Sequence, residues 1–257
     1  MIPPILPRLR QGHHTNGFPE QAPPMPDRLR GRPVIDAALC PAGCTVCAKA
    51  CAVEAISFSA AGKPRIDLGK CVFCPACVEA CPEKALRFTD EFRLSTGRRE
   101  DLMVEDGKVY ALGQRLRDEV LRLYGRSLKL RVVSAGGCNG CEVDVNVLGT
   151  LAWDLGRFGI NYVASPRHAD GMLLCGPVSK NMELAVRKTW DAIPEPKMCI
   201  AVGACAISGG PYAGHAEQCG GAAAVVPVDL FIPGCPPHPA TILDGLLRLI
   251  GRIAPQP

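Results

Sequence analysis

Two runs of closely spaced cysteines constrain this chain more than any other feature. Cys71, Cys74, Cys77 and Cys81 spell C-x2-C-x2-C-x3-C, with Pro82 directly after. Upstream, Cys40, Cys44, Cys47 and Cys51 spell C-x3-C-x2-C-x3-C. The runs belong to an internal repeat. Val34-Ile35-Asp36-Ala37-Ala38-Leu39-Cys40 matches Arg65-Ile66-Asp67-Leu68-Gly69-Lys70-Cys71, and the eight residues from Cys51 to Phe58 match those from Cys81 to Phe88. Three thiols crowded into one loop suit an iron–sulfur cluster, and in a doubled run the fourth cysteine ligates the other cluster. One set is then Cys71, Cys74, Cys77 with Cys51; the other is Cys40, Cys44, Cys47 with Cys81. Structural zinc also uses C-x2-C, but as two separated pairs rather than two triplets with exchanged fourths.

The second copy is the bacterial two-cluster ferredoxin run, which predicts a small α+β ferredoxin-like domain over residues 34–93. The first copy departs from that pattern: Pro41-Ala42-Gly43 puts three residues between Cys40 and Cys44, and Ala52 stands where proline is usual. An extra residue beside a glycine bulges out of a ligand loop without removing the ligand, so a cluster is expected there too.

Fifteen cysteines in 257 residues would also suit a disulfide scaffold, but those are short secreted chains. Pro3, Pro4 and Pro7 stand where a signal peptide needs an apolar core, and no twin-arginine motif opens the chain. No apolar run reaches the ~20 residues that span a bilayer. Reduced, cytoplasmic, metal-binding thiols are the expectation.

A second cysteine system follows. Cys138 and Cys141 lie in Gly136-Gly137-Cys138-Asn139-Gly140-Cys141-Glu142, Cys205 in Gly203-Ala204-Cys205-Ala206, and Cys235 in Pro233-Gly234-Cys235-Pro236-Pro237. Each segment follows a strand-like apolar run, at 128–133, 198–202 and 225–232. Further strands are predicted at 160–164 and 171–175, with helices over 143–158, 182–192 and 239–253. Strands alternating with helices imply a doubly wound, flavodoxin-like parallel sheet, whose sites gather beyond the carboxyl ends of its strands. The four thiols are read as ligands of a third cluster. Cys219, in Gln218-Cys219-Gly220-Gly221, competes with Cys235 for the fourth place. Cys175 ends a strand near this site, and Cys199 sits mid-strand as a small core residue. Glu142, Arg167 and His168 are candidates to touch the cluster or a partner.

Residues 1–33 are rich in proline and arginine and read as a flexible arm, disordered or draped. Residues 94–127 read as a linker whose segment 114–124 has the spacing of an amphipathic helix, and residues 128–257 as the second domain. The net charge of +4 lies mainly in the arm and the linker, and aromatic residues make up only 5% of the chain, which argues against nucleic acid. No nucleophile–base pair, phosphate loop or dinucleotide fingerprint is present. The chain reads as a conductor of electrons.

Residues 126–252 resemble the small subunit of membrane-bound, energy-converting (group 4) NiFe hydrogenases, of the formate hydrogenlyase and hydrogenase-4 type, within the superfamily of the complex I 20 kDa subunit. The likeness rests on Gly125-Arg126-Ser127-Leu128, Cys138-Asn139-Gly140-Cys141-Glu142, Ser165-Pro166-Arg167-His168-Ala169-Asp170, Gly176-Pro177-Val178, Gly203-Ala204-Cys205 and Ile232-Pro233-Gly234-Cys235-Pro236-Pro237. The complex I subunit has adjacent paired cysteines, whereas two residues separate Cys138 from Cys141. Residues 34–104 resemble the two-cluster ferredoxin-like subunit of the same complexes, through Cys71-Val72-Phe73-Cys74 and Phe88-Thr89-Asp90-Glu91-Phe92, so the chain looks like a fusion of the two. The resemblance implies three 4Fe-4S clusters, the one held by Cys138, Cys141, Cys205 and Cys235 lying next to a NiFe site on a separate large subunit. It implies integral membrane subunits as partners, an electron donor such as ferredoxin or a formate dehydrogenase module, and a place on the cytoplasmic face of the inner membrane. The rival readings are a complex I-like subunit delivering electrons to quinone and a free-standing electron carrier.

Overall fold

The structure, a computed structural model, describes residues 5–12, 14–113 and 127–253. After a short helix α1 (Ile5–Gln11), the cysteine-rich half runs β1 (Pro33–Ile35), α2 (Val46–Lys49), β2 (Ile56–Phe58), β3 (Pro64–Asp67), α3 (Ala76–Glu79) and β4 (Leu86–Phe88). The sequence repeat is a structural repeat. β1 pairs antiparallel with β4, and β2 with β3, so each copy contributes one strand to each hairpin. Glu54 and Lys84, each three residues past the last cysteine of its run, share the left-handed conformation (φ 50° and 51°). Exchange of strands between copies is what carries Cys51 and Cys81 across to the opposite triplet.

The second half contains β6 (Leu128–Ser134), α4 (Gly140–Val147), β7 (Ile160–Tyr162), β8 (Gly171–Cys175), α5 (Lys180–Ala192), β9 (Met198–Val202), α6 (Gly203–Ser208), β10 (Leu230–Ile232) and α7 (Pro239–Leu249). Its strands form one parallel sheet in the order β10-β9-β8-β6-β7, the doubly wound flavodoxin-like order expected from the alternating pattern. β8 and β9 are buried at every residue, as their unbroken apolar runs require of central parallel strands. α7 is buried along its whole length, and its only two charges, Asp244 and Arg248, pair with each other at 2.8 Å.

Several boundaries differ from the sequence reading. The helix expected over 143–158 begins earlier, at Gly140, because Asn139 turns the chain in the left-handed region (φ 71°), and it ends at Val147. Asp154, also left-handed, starts a separate short turn over Leu155–Phe158. The strand expected over 225–232 shrinks to Leu230–Ile232, since Pro227 gives no ladder donor. The final helix stops at Leu249, ahead of Gly251 (φ 69°).

The described part of the segment between the halves, residues 94–113, is built into both of them. Thr96 exchanges backbone hydrogen bonds with Phe231 (3.0 and 2.9 Å), extending the sheet beyond β10, and β5 (Met103–Glu105) adds a third strand beside β3. Ser95 and Thr96 are wholly buried. The amphipathic helix expected over 114–124 lies outside the described residues. Residues 15–33 are draped over both halves. Asn16 N–H donates to the Ala152 carbonyl, Phe18 packs edge-on against Phe92, and Arg30 donates to the Phe73 carbonyl. Ile35, Leu68 and Phe73 of the cysteine-rich half share one buried cluster with Val133, Ile207 and Phe231 of the sheet half.

Candidate metal centres

Cys40, Cys44, Cys47 and Cys81 line one small enclosed space, closed by Pro64 and Leu86. Cys51, Cys71, Cys74 and Cys77 line another, closed by Ile56, Ile66 and Phe88. In each space three thiols come from one run and the fourth from the other. The extra residue before Cys44 is accommodated by Gly43, at φ 74° with open space around it. Backbone donors are already aimed at sulfur: Ala55 N–H at Cys51 Sγ and Phe73 N–H at Cys71 Sγ, both 3.3 Å. The short helices α2 and α3 bury Cys47 and Cys77.

The third set assembles beyond the carboxyl ends of β6, β9 and β10. Cys138 and Cys141 sit on either side of the left-handed Asn139, so that Cys141 rides the first turn of α4. Cys205 lies on α6, directly after β9. The loop carrying Cys235 is tied to α6 by the Ala204 N–H, which donates to the Gly234 carbonyl (2.8 Å). Glycines make room for the sulfurs. A Cβ at Gly203 (φ 89°) would lie 2.4 Å from Cys141 Sγ, and one at Gly210 (φ 54°) 2.9 Å from Cys205 Sγ. Sequence reading noted glycines flanking the thiols but had no means of marking Gly210, five residues past its cysteine.

Burial and mutual repulsion shape the electrostatics of these sets. Burial pushes the Cys71 thiol up to about 12 and the Cys77 and Cys205 thiols up to about 11, and the neighbouring thiols of each set push the same way. Cys141 is raised by burial first and then by Cys205, Glu142, Cys235 and Cys138. Four such thiolates together need positive charge in their midst, which a metal core supplies while deprotonating its ligands. Among the described residues, no three His, Cys, Asp or Glu side chains converge as a single metal ion requires. In the set of Cys51, Cys71, Cys74 and Cys77, thiols lining one space with N–H groups turned to two of the sulfurs fit an iron–sulfur core.

The remaining cysteines fall outside the sets. Cys219 faces α5, its Sγ 3.4 Å from Glu183 Oε2, whereas the charges felt by Cys141 and Cys205 include Cys235 and not Cys219. Cys199 is buried in β9, its N–H donating to Asp229 Oδ2. Cys175 ends β8, fully buried behind Cys141 and Glu142, and burial holds its thiol well above the ordinary range. Glu142 is only 7% exposed and accepts a hydrogen bond from Ser134 Oγ at 2.6 Å. Arg167 and His168 lie exposed on a turn after β7.

The second set neighbours both of the others. Cys77 of the second set feels the charge of Cys47 of the first. The loop before Cys71 touches α6, where Ser208 Oγ donates to the Gly69 carbonyl (2.9 Å). The set of Cys51, Cys71, Cys74 and Cys77 is therefore the middle one.

Residues 138–249 match the family model of the NADH ubiquinone oxidoreductase 20 Kd subunit, and residues 39–85 match that of a 4Fe-4S dicluster domain. Formate hydrogenlyase subunit 7 of Escherichia coli is 42% identical over 54% of this chain; the chain spans about half, 54%, of that relative's length. A probable membrane-bound hydrogenase subunit of Pyrococcus furiosus is 36% identical, over 53% of this chain and 81% of its own. An uncharacterized protein of Methanocaldococcus jannaschii is 41% identical, over 48% of this chain and 83% of its own. With its sheet half matched across most of two such relatives and a dicluster domain ahead of it, this chain belongs to the NADH ubiquinone oxidoreductase 20 Kd subunit family.

Proposed function

We propose that this chain is the electron-transfer subunit of a membrane-associated, energy-converting NiFe hydrogenase or formate hydrogenlyase complex, holding three 4Fe-4S clusters in a row. The observation that carries this reading is the sorting of twelve of the fifteen cysteines into three sets of four, each drawn from separate segments. When bound, such clusters take up and release single electrons. Cys40, Cys44, Cys47 and Cys81 hold the outermost one, Cys51, Cys71, Cys74 and Cys77 the middle one, and Cys138, Cys141, Cys205 and Cys235 the one nearest the partner.

The protein's own part is to hold the row and keep water from it. α2, α3 and α6 bury one thiol of each set, the N–H groups of Ala55 and Phe73 hold negative charge on sulfur, and the shared core keeps the halves in register. The exposed thiols Cys138 and Cys235 mark the face on which a large subunit with the NiFe site docks. Attachment through integral membrane partners on the cytoplasmic face belongs to this reading; no helix among the described residues is long and apolar enough to cross a membrane. The donor is a ferredoxin or a formate dehydrogenase module, entering at the outermost set.

Purification of the native complex through a tag on this chain, followed by metal analysis, tests the reading. Nickel co-purifying with abundant iron and acid-labile sulfide is the expected result. Iron without nickel, in a complex that reduces quinone, would replace the hydrogenase reading with the complex I-like one.

A further inference from the structure

The contact between the middle set and the Cys205 set is made by residues with no ligand role. Gly69, two residues before Cys71, is pressed from both sides. A Cβ there would lie 2.7 Å from Arg99 Cζ and 2.8 Å from Cγ2 of Ile207, which is two residues past Cys205 on α6. Ser208, the next residue, spans the seam with its hydrogen bond to the Gly69 carbonyl, the same hydroxyl also lying 3.2 Å from the Ala204 carbonyl. Arg99 is held by a two-pronged pair with Asp67, at 2.8 and 2.7 Å. Asp67 in turn accepts the Gly69 N–H on its carboxylate and the Cys71 N–H on its backbone carbonyl. One bridge therefore runs from α6 through Ser208 and Gly69 to the Cys71 loop, and one planar fork braces it from the segment joining the halves.

We infer that Gly69, Ser208 and Arg99 are positioning residues that set the spacing between the middle cluster and the Cys205 cluster, an inference that rests on the three-cluster reading above. Gly69 is small because any side chain there wedges the Cys71 loop away from Ile207. Arg99 is an arginine because a single-pronged lysine leaves the Asp67 turn free to rotate. No hydrogen bond of the three ends on a thiol, so spacing and cluster retention are separable.

The test uses the full chain in its complex, reduced with dithionite, in the variants Gly69→Ala, Ser208→Ala, Arg99→Lys and the double variant Gly69→Ala with Ile207→Ala. Iron and sulfide content is measured beside the electron paramagnetic resonance spectrum, where neighbouring reduced clusters split or broaden one another's lines according to their separation. The expected result is wild-type iron throughout, loss of part of that interaction in Gly69→Ala and Ser208→Ala, a smaller loss in Arg99→Lys, and partial recovery in the double variant, where the Arg99 contact persists. Unchanged line shapes at full iron content would overturn the spacing role. Loss of about four irons from Gly69→Ala or Ser208→Ala would overturn it as well, by making the residue part of a cluster seat. A wild-type chain lacking the third cluster would instead sink the functional reading, a result visible in iron content before any variant is made.

Discussion

At Gly203 the backbone stands at φ 89°, and the first atom of any side chain would meet Cys141 Sγ at 2.4 Å. Two costs coincide there: strain of about 1–3 kcal/mol for a non-glycine residue in that region, and a clash with a ligand sulfur that has nowhere to go. Gly203→Ala is predicted to lose about four irons per chain while the two clusters of the cysteine-rich half keep their spectroscopic signals. Iron analysis of the purified variant checks this, and full iron content would contradict it. Cys235→Ser should give the same loss. Cys219→Ser should keep every iron, because that thiol is engaged with Glu183 on α5. Sequence favoured Cys235 over Cys219 for its rigid Pro233-Gly234-Cys235-Pro236-Pro237 frame, and the contact of the Cys219 thiol with Glu183 is visible only in the fold. The reciprocal sets were legible because their spacing is local and repeated. Gly69 and Ser208 were not, because their meaning lies in a contact between residues 139 positions apart.

Among the elements, α7 shows how a helix start can respond to pH. His238 precedes it, and its Nδ1 accepts the Ala240 N–H at 3.2 Å, a role open only to the neutral ring. Burial lowers the His238 pKa below the ordinary value of 6.5. The unfolded chain therefore binds this proton more readily than the folded one, and stability falls as pH drops from 6.5 through the folded-state value. Protonation also places positive charge at the positive end of the helix dipole. His238→Asn, which keeps an accepting cap but does not titrate, is predicted to flatten this part of the profile at a cost of about 1 kcal/mol or less near pH 8. Thermal melts of both proteins between pH 5 and 8 read the difference, and parallel profiles would contradict the assignment. The parallel sheet and its order followed from alternating apolar runs, while helix ends were misplaced where single left-handed residues, Asn139 and Gly251, decide them. Pattern has no term for such residues until the turn is seen.

Across the whole molecule, residues 94–105 of the segment read as a linker act as a joint. Its residues 94–96 lie in the core, pair with the edge of β10 and lead into β5 of the opposite half. A chain held this way, with one buried cluster spanning both halves, is predicted to unfold in a single transition, followed together by tryptophan fluorescence and by bleaching of cluster absorbance. Bleaching well before the loss of fluorescence would mean that the cysteine-rich half opens alone. Whether one chain carries three clusters is read by counting iron and acid-labile sulfide in the anaerobically purified, quantified chain. Three clusters give about twelve of each per chain, with no stoichiometric zinc. About eight of each would contradict the three-cluster reading by removing the cluster assigned to Cys138, Cys141, Cys205 and Cys235, and zinc in place of iron would contradict it altogether.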